Sequence, residues 1–105
     1  MYNDRTPIYE IIMLEKPITL DEHGFPSYGH LESVGFYYEE EIALKAVRQN
    51  WCDINDGGCY NAAIIQKKIP GLYPIPQKEW YFIFDYDNMI YEEKQLPVEM
   101  QHFVL

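Results

Sequence analysis

"SVGFYYEEEIALKAV", residues Ser33 to Val47, decides the fold, because within it the chain changes from one hydrophobic period to another. "LESVGFY" (31–37) is rich in aromatic and β-branched residues and reads as a short strand. From Ile42 onward, Ile42, Ala43, Ala46, Val47 and Trp51 recur at steps that keep them on one face of a helix, so that face should pack on a sheet. Between the two patterns stand Glu39, Glu40 and Glu41. Acidic side chains in a first helical turn complement the exposed amides and the positive dipole end, and Lys45 and Arg48 fall where the dipole is negative. Glu41 and Lys45 are also four residues apart in the favourable order. General acid–base chemistry would need one carboxylate buried enough to raise its pKa, whereas successive helix residues point apart. The three glutamates are therefore read as a solvent-exposed helix start.

Outward from this stretch, strands are expected on both sides. "PIYEIIMLEK" (7–16) carries Ile8, Ile11, Ile12 and Leu14 too densely for one-sided alternation and predicts a central strand covered on both faces. Pro17 to His30, with two prolines and two glycines, predicts a long loop. After the helix, "CDINDGGCYN" (52–61) is a glycine turn. Counted from Asp53 as a calcium loop it fails, since Gly57 and Ile64 stand where oxygen ligands are required. "CYNAAIIQKKI" (59–69) predicts a third strand, followed by the proline-broken, exposed segment "PGLYPIPQK" (70–78). "EWYFIFDYDNMIYEEKQL" (79–96) predicts a hairpin with Trp80, Phe82 and Phe84 on one face and a turn near Asp87 and Asn88. "PVEMQHFVL" (97–105) fits one helical turn or a final strand or docked tail.

Two strands before the helix and three after it predict an α+β domain spanning 1–105: an antiparallel sheet of about five strands, in the order ββαβββ, with one helix packed on one face. This order, and especially the strand that runs directly into the helix at 33–47, resembles small ββαββ proteins of bacteria and their mobile elements. The resemblance covers about the middle half of the chain. It implies a fold and carries over no activity and no site residue.

Composition narrows the function classes. The 105 residues carry a formal net charge of −9, which repels phosphate backbones and anionic lipid surfaces, so direct nucleic-acid or membrane binding is not expected. The N-terminal residues lack a basic region followed by an apolar run, which predicts a cytoplasmic protein, and the resemblance implies that the cell is a bacterial host. Cys52 and Cys59 are then expected as free thiols. His23 and His30, like Cys52 and Cys59, are separated by six residues, wider than the spacing of about two to five in structural zinc sites, so no metal and no cofactor are expected. Nothing in the chain has the form of a nucleophile elbow or a phosphate-binding glycine loop, and an enzyme is not expected.

What remains is a surface. Lys67, Lys68 and Lys78 mark an acid-free stretch, and elsewhere acids dominate the helix region and the terminal hairpin. Asp85, Tyr86, Asp87, Tyr91, Glu92 and Glu93 would form a rigid row of carboxylates and tyrosines able to meet a partner protein with a basic surface. In size and charge the chain resembles acidic anti-CRISPR proteins and other phage DNA mimics, which implies an inhibitor occupying a nucleic-acid-binding surface of a host protein. Alternatives are a general protein-interaction domain, dimerising through an open sheet edge, and a small-molecule binder using the aromatic loops.

Overall fold

The structure is a computed structural model that describes residues 5–72 and 74–97. It is an α+β fold built on a five-stranded antiparallel sheet. The elements are β1 (Ile8–Leu14), β2 (Thr19–Leu20), β3 (Pro26–Ser27), β4 (Leu31–Tyr37), α1 (Glu40–Arg48), β5 (Ala62–Lys68), β6 (Lys78–Asp85) and β7 (Ile90–Lys94). The large sheet has the order β4-β1-β5-β6-β7, which makes β4 and β7 its edges. The helical turn, strand or docked tail expected at 97–105 lies, but for Pro97, outside the described residues. Among those described, no helix is long and apolar enough to cross a membrane.

The density of isoleucine in β1 has the expected cause, since successive side chains of a strand point to opposite faces and both faces here are covered. Tyr9, Ile11 and Met13 join Ala63, Ile65, Trp80, Phe82, Phe84 and Tyr91 in the core beneath α1, which contributes Ala43, Ala46 and Val47. Ile12 and Leu14 face the other way, with Ala62, Ile64 and Tyr81. Trp51 belongs to a 3₁₀ turn after the helix, Trp51–Asp53, and is only half-buried at the margin of that core. The expected helical stripe therefore ends at Val47, because Asn50 turns the chain into the left-handed region (φ 53°).

Pro17 to His30 is more ordered than the predicted loop. β2 and β3 pair at Thr19 with Ser27 and Leu20 with Pro26, and Asp21 closes their turn by accepting the amides of His23 and Phe25. Ile18 from this segment is buried over the second face of the sheet, where its N–H donates to the Tyr81 hydroxyl at 2.8 Å. The sheet thus has a helix on one face and this small hairpin, with Tyr28 and Leu96, on the other.

The connection from α1 to β5 is pinned by Asn55, which is buried. Its side chain accepts from the Gly58 amide at 2.9 Å and donates to the Tyr60 carbonyl at 3.0 Å. Gly57 and Gly58 take the positive φ values this turn requires, 64° and 102°.

Candidate binding surface

The terminal hairpin separates the six residues expected to act together. β6 ends at Asp85, whose carboxylate accepts the Asp87 N–H at 2.9 Å and the Asn88 side-chain amide at 2.7 Å. The Asn88 hydrogen bond, with the Asp87 amide, holds this carboxyl below the usual range, so Asp85 shapes the turn. Asp87 is exposed in that turn and does not continue the strand beside Asp85. Tyr86 is exposed, with its hydroxyl on the Asn61 side chain and its ring edge-on to Phe84 at 4.8 Å.

Tyr91 departs most from expectation. It is 1% exposed, lies opposite Phe84, and donates its hydroxyl to the Tyr60 carbonyl at 2.7 Å. Burial pushes that hydroxyl well above the ordinary tyrosine pKa. It is a core residue and offers a partner no surface. Glu92 and Glu93 are exposed but leave opposite faces of the sheet, as β-strand alternation requires. Glu93 faces α1 and accepts from Arg48 at 2.7 Å, while Glu92 lies 3.3 Å from the Lys94 ammonium. The hairpin's acids are therefore divided between two faces, and most have partners within the chain.

The other edge of the sheet has a different character. β4 is exposed along nearly its whole length, with Val34 at 44%, Phe36 at 51% and Tyr38, just past its end, at 65%. Phe36 stands opposite Glu10 and Tyr37 opposite Tyr9, so the two rings leave opposite faces. Tyr37 meets Trp51 edge-on at 6.5 Å, and Tyr38 meets Phe36 edge-on at 5.5 Å. Because Ile11 pairs with Gly35 while Ile12 pairs with Ser33, Val34 is an extra residue without a cross-strand partner, a bulge in the outer strand. Behind Gly35 an apolar groove of about 260 Å³ opens between Tyr37 and Trp51, floored by Ile11 and Ala46.

This edge runs directly into the helix start. Glu39 precedes α1 in extended conformation and makes no side-chain cap. Glu39 and Glu41 are exposed and Glu40 is half-buried. Among the described residues, none of the three forms an ion pair or side-chain hydrogen bond, and the expected Glu41–Lys45 pair is not made.

Two polar devices fix β4 in place, neither anticipated from the sequence. Glu32 accepts the hydroxyl of Tyr60, and this carboxylate beside the phenol pushes the Tyr60 pKa up to about 12. A row of side chains also crosses four strands. The Ser33 hydroxyl donates to Glu10 at 2.5 Å, the Lys68 ammonium bonds Glu10 and, at 3.1 Å, Gln66, and Gln66 donates to Glu79 at 3.1 Å. Burial acts to raise the Glu10 carboxyl, but the hydrogen bonds from Lys68 and Ser33 outweigh it and leave the pKa lowered. The signal for this row is the phase of β1. Glu10 shares a face with Ile12 and Leu14, and an acid on a buried face calls for a cation, which Lys68 supplies from β5.

Cys52 and Cys59 are free and exposed. Among the described residues, no group of three or more His, Cys, Asp or Glu is placed to hold a metal ion. No family model matches the chain, and no curated protein and no solved structure matches it.

Proposed function

We propose that the protein is a non-catalytic binding protein that occupies a basic surface of another protein, with the β4–α1 junction as its contact face. One observation carries this: an exposed apolar edge, Val34, Phe36 and Tyr38, continues without interruption into three glutamates that no residue of the described chain neutralises. From Pro17 to Leu44 the sequence has six acids, Asp21, Glu22, Glu32, Glu39, Glu40 and Glu41, and no lysine or arginine, so this stretch contributes negative charge alone. Aromatic side chains supply buried contact area and carboxylates steer the encounter, the division of labour that makes protein interfaces fast and durable. Extended basic surfaces are a feature of proteins that neutralise phosphate backbones. An acidic protein seated on one would exclude nucleic acid, in the manner of the anti-CRISPR and DNA-mimic inhibitors that the chain resembles in size and charge.

The test starts with capture of a partner from bacterial lysate at low and high salt, followed by surface-plasmon-resonance kinetics on that purified partner. Glu39→Gln, Glu40→Gln and Glu41→Gln together should slow association and flatten its salt dependence, and Phe36→Ser should speed dissociation. The corresponding hairpin set, Asp87→Asn with Glu92→Gln, should change the rates less. A partner indifferent to salt, or one that responds to the hairpin set and ignores the β4–α1 set, refutes the assignment of this face.

A further inference from the structure

We infer that β4 is an acceptor for an additional strand: an extended segment of the partner protein, flanked by lysine or arginine, that pairs as a sixth strand with the edge of β4 left open by the described residues. The inference rests on the reading of the β4–α1 junction as the contact face and specifies how the partner is held there. Each edge of a sheet presents unpaired N–H and C=O groups, and proteins blunt such edges with charges, lysine above all, with proline, with bulges, or by covering them. The two edges of this sheet differ in that respect. β7 exposes Glu92, Glu93 and Lys94, a charged fringe of both signs. β4 has the single bulge at Val34 but no lysine and no proline, and along its second half, Val34 to Tyr37, it has no charge at all.

Three further features identify the occupant. The edge strand cannot slide or peel freely, because Ser33 is bonded to Glu10 and Glu32 to Tyr60, so the stretches of β4 on either side of the Val34 bulge are held extended for a new strand to pair with. Beside it, the groove behind Gly35 admits one apolar side chain of an added strand against Tyr37 and Trp51, and alternate side chains of that strand would fall on this face. At the end of β4, Glu39, Glu40 and Glu41 place unneutralised negative charge where the added segment leaves the sheet, which selects a basic flank. The same charge argues against a second copy of this chain, since each copy carries −9 and neither has a lysine or arginine between Pro17 and Leu44.

The probe is a synthetic peptide of alternating valine and threonine with a lysine pair at each end, in three forms: unmodified, N-methylated on alternate amides along one edge, and N-methylated along the other. Binding to the full chain is read by fluorescence anisotropy at low and high salt, and the amides of Leu31–Tyr37 are followed by hydrogen exchange. The expected result is salt-sensitive binding of the unmodified peptide. Methylation along one edge should weaken it by about tenfold or more, as loss of two or more net hydrogen bonds would, and methylation along the other should not. The outward-facing amides of β4, fast to exchange in the free protein, should slow when the peptide binds. Equal binding of all three forms without slowing of β4 would overturn strand addition while leaving the acidic contact face standing. Absence of binding at low salt would also overturn it, and the kinetics with the captured partner would then judge the face separately. Slowing of β4 that grows with protein concentration alone would assign the edge to a second copy. Slow exchange in dilute free protein would assign it to the chain itself. Either result would reject the partner strand.

Discussion

The Tyr91 hydroxyl donates to the Tyr60 carbonyl across 2.7 Å, tying β7 to the residue that opens the approach to β5. The same carbonyl accepts from Asn55 at 3.0 Å, so Tyr60 is the point at which the hairpin and the α1–β5 connection are joined. Tyr91→Phe keeps the ring against Phe84 and removes one buried hydrogen bond, with Asn55 still satisfying the carbonyl. The expected loss is about 0.5–1.5 kcal/mol. In a chain of this size that corresponds to a melting temperature lower by roughly 4–8 °C per kcal/mol, read by calorimetry. Binding kinetics toward any partner should be unchanged, and a change in dissociation rate with unaltered stability would return Tyr91 to the surface.

Val47 is fully buried between α1 and the sheet, in the cluster with Phe82 and Phe84. Val47→Ala removes two methyl groups from a packed site and leaves a partial cavity, at a cost of roughly 1–3 kcal/mol. Trp51 packs against this cluster without entering it. Denaturant titration of Val47→Ala should show a lower midpoint at unchanged slope. An unchanged midpoint would mean that the helix does not bear on the sheet through this face.

Those two residues show what the sequence made legible. Val47 follows from the helical stripe alone, because Ala43, Ala46 and Val47 share one side at 3.6 residues per turn. The centrality of β1 follows from isoleucines in both phases of a strand, and the Trp80, Phe82, Phe84 face from simple alternation. Tyr91 was legible in principle. Carried around the turn, that alternation sets it opposite Phe84, but its charged neighbours Glu92 and Glu93 suggested a surface residue. The β2–β3 ladder pairs only two residues on each side, too few for any periodicity to show. The exposure of β4 could not be read locally, since strand order is decided by pairings such as Ile11 with Ile65 that are distant in sequence. For the same reason the hairpin's acids and tyrosines are adjacent in sequence but divided in space, whereas exposed aromatic residues and unpaired glutamates lie side by side at the β4–α1 junction.

Acid should weaken the fold through Glu10. Its carboxyl is lowered from an ordinary value of 4.5 because the Lys68 and Ser33 hydrogen bonds prevail over burial. A group with a depressed folded pKa contributes stability that is present above its unfolded value and is lost as pH falls through the folded one. Unfolding free energy should therefore decline below about pH 4.5. Asp85, lowered by Asn88 and the Asp87 amide, acts in the same direction but only below its own ordinary value of 3.8. Glu10→Gln should be less stable than the parent at neutral pH, with the Lys68 ammonium deprived of its counter-charge, and should lose less on acidification. Denaturation midpoints across the acid range check this, and parallel curves for the two proteins would contradict it.

Alkali should reveal the contact between Tyr60 and Glu32. The Glu32 carboxylate accepts the Tyr60 hydroxyl, and forming a phenolate beside that charge is unfavourable, which moves the group from 10 to about 12. Because the folded pKa is the higher, the stabilisation is complete below pH 10 and is lost as pH rises from there through about 12. Near-ultraviolet titration should show Tyr60 ionising late, near pH 12. Burial raises Tyr81 and Tyr91 as well, so these should ionise only as the core opens. Glu32→Gln keeps an acceptor for the hydroxyl but removes the charge. It should bring one tyrosine back into the ordinary range while leaving Tyr81 and Tyr91 late. Since Glu32 lies on β4, the same variant should speed amide exchange near Leu31 and Ser33 without lowering protection in β5 or β6. An unshifted titration would show that Tyr60 is held by its surroundings and not by Glu32. The carboxylate would then have no part in anchoring the free edge.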